Sequence, residues 1–475
     1  MLGRACVLAL CFGGVACGSS SPGAAGASGM GGASAAGNGS GGSALSSAGS
    51  SGANTLAGGS GAGGAGGAGN AGGAGVTAAG ATSTGRSFPD TNASIGILAD
   101  QLPDLNDAQM DFAVSHYVGT EKQLLPVTQA LRAKNPNFLV LHYHLSMWQS
   151  APATLFIING ASWGNDYPTV TTHEDWFWHN TSNARVPSSA DQKLLMNVSN
   201  PDFQQYWATS LAAQVKAGDY DGVFFDSASP ALLQAECAAV DPRLAATAAR
   251  DTQFSELGGH TWIQAWQTWM AALNGALAAQ GIPLIPNTSA FVTSWDNTDY
   301  SLSAGAFVEG FASPTFAESD WQASTNELLK LAAADKIMIL QNYLQTTSDL
   351  TTRMYYLGNY LLVKGHHTYL DYFSSAGPFE WYPEWEADLG APLTSGTVAS
   401  DLLENGVYRR DFANGSVLVN PSSAPVTVAL GGTFQHLVAS GGGAVDASGT
   451  SSGSLSMPTV TSLDVAATSA EIILH

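Results

Sequence analysis

Basic residues are scarce: 16 Lys and Arg stand against 37 Asp and Glu in 475 residues, a formal net charge of -21. So acidic a surface argues against nucleic acid or any polyanion as partner and favours a neutral or cationic ligand. Cysteine is nearly absent too. Cys6 and Cys11 fall in the N-terminal leader, which leaves Cys17 and Cys237. With lipid on Cys17 no disulfide can form within the chain, and an exported fold must then rest on its core alone. Cys237 has no nearby His to activate it and reads as an inert packing residue. Between Gly18 and Gly85 there is no charged residue at all.

That last absence marks a tether. Gly, Ala and Ser dominate residues 18–86, which cannot bury enough apolar surface to fold. About 69 residues of flexible coil reach ~45 Å, enough to hold a domain clear of a membrane. Ahead of it, residues 1–17 carry one Arg, an apolar stretch too short to span a bilayer, and small residues before Cys17. This is the layout of a signal peptide, and Gly14-Val15-Ala16-Cys17 resembles a bacterial lipobox with lipidation at Cys17. The expected location is outside the cytoplasm, lipid-anchored at the outer membrane or cell surface, or else secreted.

From residue 87 strand-like and helix-like segments alternate, as in βαβ units around a parallel sheet. The runs read as eight strands at 94–99, 112–117, 138–144, 223–226, 282–286, 305–309, 336–340 and 367–370. Helices are expected at about 121–134, 262–280, 319–333 and 350–364. Trp262, Trp266 and Trp269 share one helical face and read as core. The Trp- and Tyr-rich stretch 146–186, with Trp148 and Trp163, is long enough to shape a substrate site. Beyond residue 396 short alternating segments separated by Gly and Ser turns indicate an antiparallel β domain. The expected class is α/β: a (β/α)8 barrel at 87–396 followed by a small C-terminal antiparallel β-sandwich domain at 397–475.

Two apolar runs stop abruptly at a carboxylate. Val223-Phe224-Phe225 ends in Asp226 within DYDGVFFDSASP, and GAFVEGF places Glu309 at the end of strand six. In a parallel barrel the C-terminal strand ends form the active face. Two acids there, one of them raised in pKa by burial and by its neighbour's charge, meet the requirement for glycosidic bond cleavage: one protonates the leaving oxygen, the other attacks carbon or activates water. Asp226 is assigned as nucleophile or base and Glu309 as general acid, with the reverse left open. The alternative for Asp226 is a helix cap. The same end offers Asp100, Asn287, Gln341, Asn342, Tyr343 and Asp371 for sugar hydroxyls, with Tyr143, His144 and Trp148 as a binding wall.

A competing constellation is His142-x-His144 with His366 and His367, which could hold a metal. No further ligand stands at a completing spacing. The two-acid mechanism needs no metal or organic cofactor.

In combination, GDYDGVFFDSAS, AFVEGF, EWYPEWEADLGAP and GVYRRDFANGSVLVNPSS resemble bacterial (β/α)8 glycoside hydrolases, and in particular the fifteenth hypothetical glycosyl hydrolase family, over about residues 90–435. The resemblance implies that the acids ending strands four and six, here Asp226 and Glu309, are the catalytic pair, and that the RRDFANGSVLVNPS stretch opens a C-terminal β domain. The sequence thus leads to an exported hydrolase of a neutral poly- or oligosaccharide. A barrel that captures glycans without cutting them, and a metal-dependent hydrolase, are the other readings.

Overall fold

A computed structural model describes residues 82–150, 157–158, 161–162, 166–190, 192–245, 248–290, 298–374 and 379–475. The leader at 1–17, lipidation at Cys17, the tether up to residue 81 and Trp163 lie outside the described residues.

Eight parallel strands alternate with helices. They are β1 (Gly96–Ala99), β2 (Gly119–Glu121), β3 (Leu139–Leu145), β4 (Gly222–Asp226), β5 (Leu284–Pro286), β6 (Gly305–Glu309), β7 (Ile337–Leu344) and β8 (Thr368–Ser374). The intervening helices are α1 (Asp107–His116), α2 (Leu125–Lys134), α3 (Pro201–Ala217), α4 (Trp262–Ala278), α5 (Glu318–Ala333) and α6 (Leu350–Val363). The sheet runs β6-β7-β8-β1-β2-β3-β4-β5. A parallel bridge between Asn287 and Phe307 brings its two edges together into a near-closed barrel. Neighbours in sequence are neighbours in space throughout, as βαβ connections require.

One expectation fails. Residues 112–117, read as strand two because Phe, Val and Tyr favour strands, instead close helix α1, which runs to His116 with Tyr117 as its C-cap, and β2 starts only at Gly119. The cause is local. The Asn106 side chain accepts from the Gln109 backbone while the Gln109 side chain accepts from the Asn106 backbone N–H, a complete capping box that starts the helix. Phe112 and Ala113 then form its buried face.

Side-chain parity divides each strand. Leu98, Leu139, Leu141, Phe224, Ile285, Phe307 and Ile339 fill the barrel interior and are all but inaccessible to solvent. Each is worth about 1.5–3 kcal/mol of burial. On the outside, Trp262, Trp266 and Trp269 of α4 are fully buried, with Trp266 and Trp269 against Phe225, so that stripe is core.

At the N-terminal face, buried Asp221 accepts from Thr84 (2.6 Å), Arg86 (2.7 Å), Arg132 (2.5 Å) and the Val140 backbone (2.8 Å). The last residues of the expected tether are thereby fastened to the barrel.

The C-terminal antiparallel domain is one curled sheet of β9 (Leu403–Glu404), β10 (Val407–Phe412), β11 (Gly415–Asn420), β12 (Val426–His436), β13 (Thr459–Val465) and β14 (Ser469–Leu474), in the order β9-β10-β11-β14-β12-β13. Helix α6 lies on β11 and β14. Arg410 of β10 donates to the carbonyls of Leu361, Leu362 and Lys364 at 2.8–3.1 Å, satisfying groups that a helix C-terminus leaves open. The segment before residue 396 also reaches this half: Glu380–Trp381 pairs with Gly443–Ala444.

Gly358 marks the closest approach, since a Cβ there would sit 2.3 Å from Ala470 Cβ and 3.1 Å from Val419 Cγ2. Helix propensity alone favours Gly358→Ala by about 1 kcal/mol. Overpacking outweighs it, so the variant loses about 1–3 kcal/mol. A denaturant midpoint below wild type is expected, and one above it contradicts this packing.

Candidate active site

The inward-facing residues change character at the C-terminal mouth. Above the apolar layers, parity places Asp100 after β1, Glu121 on β2, Tyr143 on β3, Asp226 on β4, Asn287 after β5, Glu309 on β6, Gln341 and Tyr343 on β7, and Asp371 on β8 toward one another. Each is tied in by a register partner or a bond across the barrel.

Asn287 is the centre of this layer. Its Nδ2 donates to Asp226 Oδ1 at 3.0 Å and to Glu309 Oε2 at 2.7 Å, which bounds the separation of those two oxygens at 5.7 Å, the sum of the two bonds. Tyr143 donates to Asp226 Oδ2 at 2.8 Å, and the Ser227 backbone N–H to Oδ1 at 2.7 Å. Asp226 is thus solvated by three donors in the way an anion requires. Tyr343 donates to Glu309 Oε1. Burial, and next the charge of Asp226, push the Glu309 carboxyl above the usual range, against the bonds from Tyr343 and Asn287. The two acids therefore stand in unlike surroundings, Asp226 among three donors and Glu309 raised by burial.

On the opposite wall Asp371 is 5% exposed and accepts at Oδ2 from the Asp100 backbone at 3.1 Å and from Gln341 at 3.4 Å. Burial first, and Asp100 second, push it up to about 8. Lys122 forms an ion pair with Asp100. Beside it Glu121 is fully buried and neither carboxyl oxygen has a hydrogen-bond partner among the described residues. Burial and Asp100 drive its carboxyl well above the ordinary range, with Lys122 opposing.

Not every anticipated residue joins this layer. Strand parity turns His144 outward, where it bonds Asp166 at 2.8 Å. Asn342 likewise faces away from the interior, sharing its side of β7 with the outward Tyr372 of β8. Trp148 is fully buried, so its ring offers no open platform. It instead donates to the Ser227 carbonyl at 3.1 Å and braces the turn after Asp226. The histidines do not assemble. His142 bonds Gln214 at 2.8 Å, with burial and His144 taking it down to about 3. His366 and His367 sit at the start of β8, at the other end of the barrel, paired with Asp90 and Asp335. Among the described residues no group of three or more His, Cys, Asp or Glu has the geometry to hold a metal.

Glu121 and Lys122 went unrecognised because β2 was placed at 112–117. The Asn106-x-x-Gln109 capping box was the signal that would have moved the strand to Gly119 and put both residues at the mouth.

The model of the family described as hypothetical glycosyl hydrolase family 15 matches residues 132–416, more than half of the chain and inclusive of Asp226, Asn287 and Glu309. No curated protein matches. Solved structures with similarity include the maltogenic alpha-amylase AmyB from Thermotoga neapolitana (9% identity, 81% of this chain and 99% of that one, TM-score 0.38). A variant of Kfla1895 in complex with isomaltose is similar at 10% identity (82% and 63%, TM-score 0.41). The cycloalternan-degrading enzyme from Trueperella pyogenes in complex with cycloalternan follows at 10% (82% and 54%, TM-score 0.38). This chain spans less than two thirds of the last two, and no residue role below rests on these likenesses.

The Asp371 environment makes a checkable demand. Its folded carboxyl titrates about 8 against 3.8 in the reference state. Between about pH 4 and pH 8 the unfolded chain therefore releases a proton that the folded chain keeps, and stability falls as pH rises through that window. Asp371→Asn should leave Tm close to wild type at pH 4 and above it at pH 9. A difference independent of pH would contradict this.

Proposed function

Because the chain belongs to hypothetical glycosyl hydrolase family 15, we propose that it hydrolyses glycosidic bonds of a poly- or oligosaccharide free of acidic groups, with Asp226 as nucleophile and Glu309 as general acid/base. The observation that carries this reading is the single Asn287 amide bonded to both carboxyls at the active face of the barrel. The acidic balance of the chain, net -21, supports a neutral or cationic rather than an anionic glycan.

The chemistry follows from the surroundings of each acid. Asp226, held by three donors, is the nucleophile that attacks the anomeric carbon. Glu309, kept neutral by burial and by the charge of Asp226, passes its proton to the glycosidic oxygen as the C–O bond breaks. Water then attacks the glycosyl ester, giving its proton back to Glu309 and releasing Asp226. Oxygens no more than 5.7 Å apart suit the retaining pathway, whose carboxyls stand roughly 5–5.5 Å apart. The inverting pathway leaves roughly 6.5–9.5 Å for a water.

The proposed setting is extracellular, on a lipid anchor at Cys17 behind the tether. Its support is the residue pattern of the first 86 positions.

Release of reducing ends from a panel of uncharged polysaccharides tests the reading. Wild type should cleave at least one, and Asp226→Asn and Glu309→Gln, both folded, should each lose about a thousandfold or more in kcat/KM. Stable binding of a glycan with no reducing ends from wild type would instead make the barrel a capture module.

A further inference from the structure

Among the described residues, Lys122 is the one basic side chain that directly follows a barrel strand at the mouth. It stands among carboxyls from five strands: Asp100, Glu121, Asp226, Glu309 and Asp371. Its Nζ pairs with Asp100 and lies 4.9 Å from the centre of the Phe224 ring and 5.5 Å from that of Tyr143. Phe224 is two residues before Asp226 on the same face of β4, and the Tyr143 hydroxyl bonds Asp226. The ammonium is therefore held on the Asp226 side of the mouth by an ion pair and two aromatic faces.

The backbone adds a second observation. Lys122 has φ of +56°, a left-handed conformation that long side chains rarely adopt and that costs of order 1 kcal/mol or more. Gly or Asn would relieve that cost at this turn but would carry no ammonium. Retaining lysine there is consistent with a demand on its charge.

Resting on the glycosidase reading above, we propose that Lys122 is the positioning residue that divides the proton between the two acids, acting through Asp226. Its field favours the Asp226 carboxylate, and that carboxylate in turn keeps the proton on Glu309.

The other groups facing Lys122 fit this role. Burial works against the ammonium, yet the carboxyls around it, Asp100 first, hold its pKa above the ordinary lysine value, so it stays charged at any working pH. Glu121 is driven toward its neutral form by burial, and Asp371 titrates only near 8. Tyr143 and Tyr343 take part as neutral donors. Of the other carboxyls near the ammonium, Asp100 anchors it and Asp226 is the one it serves. Glu309 also feels Lys122 directly, as the weakest of the influences acting on it, so the effect there is smaller and of the same sign.

The test is Lys122→Met beside Lys122→Arg. With the charge removed, the acid limb of the kcat/KM profile should move to higher pH, the direction expected on losing a nearby positive charge. The alkaline limb should rise by less, so the active window narrows and moves to higher pH while KM at the optimum changes little. Lys122→Arg should restore both limbs. A uniform loss of rate with both limbs in place, or equal shifts in the Met and Arg variants, would overturn the proposal.

A second readout needs no substrate: infrared titration of the carboxylate signal that disappears in Asp226→Asn. It should require higher pH to appear in Lys122→Met than in wild type, and an unmoved midpoint would overturn the proposal even in an active enzyme. If that midpoint moves while no glycan is ever cleaved, the charge device stands and the glycosidase reading falls. Should Lys122→Met fail to fold with Asp100 left unpaired, Asp100→Asn/Lys122→Met removes the buried anion and is read the same way, with a smaller shift of the same sign.

Discussion

Two carboxyls that share one amide donor cannot both ionise cheaply. At the mouth of this barrel Asn287 bonds Asp226 and Glu309 together, and in a site of low dielectric the second negative charge is costly. The arrangement settles the conflict by unequal solvation. Asp226 receives Tyr143, Asn287 and the Ser227 backbone N–H, whereas at Glu309 burial and the charge of Asp226 push against the two donors, Tyr343 and Asn287, that it has. Everything else at the mouth bears on that inequality. Lys122 adds positive charge on the Asp226 side, Asp100 fixes Lys122, and Trp148 and Ser146 hold the carbonyl of Ser227 so that its N–H stays aimed at Asp226.

Such a layer is expensive to build, and the scaffold beneath it supplies the rigidity. Strands that are apolar on both faces pack against the Trp-lined α4 outside and against Leu, Ile and Phe inside. On the inward side, polar side chains gather at the C-terminal mouth. The C-terminal sheet contributes from behind. It covers α6 so closely that only glycine fits at position 358, and it terminates that helix with Arg410. Arg353 of α6 in turn forms a buried pair with Glu384 at 2.7 Å, fixing the polypeptide that leaves β8. The two halves therefore share one core, and the strands bearing Gln341, Tyr343 and Asp371 are braced by it.

How far this could be read from residues alone varied with the kind of signal. Asp226 and Glu309 stood out because a carboxylate ending a buried strand is costly to keep unless its charge or its proton is used. Period-two alternation then carried Asp100, Tyr143, Asn287, Gln341, Tyr343 and Asp371 to the same layer. The same alternation, applied strictly, excludes His144 once Tyr143 points inward, and Asn342 once Gln341 and Tyr343 do. Those two were grouped with the site by proximity in sequence, where parity was the better guide. Trp148 lies in the long Trp- and Tyr-rich stretch that reads as substrate-shaping, and only tertiary packing reveals that its ring is buried. Lys122 and Glu121 were lost to a strand placed seven residues early, where the β-favouring side chains of Phe112 to Tyr117 outweighed a helix cap that the chain in fact uses. Of the C-terminal domain, the strands were legible from their turns, but its intimacy with α6 was not, because Gly358 looks like any helix glycine until its neighbour is known.

The mechanism turns on Asp226 being the anion that attacks and Glu309 the acid that waits. A panel of 2-deoxy-2-fluoroglycosyl fluorides slows the second step of a retaining enzyme more than the first, so peptide mass mapping after incubation reads the nucleophile directly. A covalent glycosyl adduct on Asp226 is the predicted result. An adduct on Glu309, or inversion of anomeric configuration in the product, would contradict it.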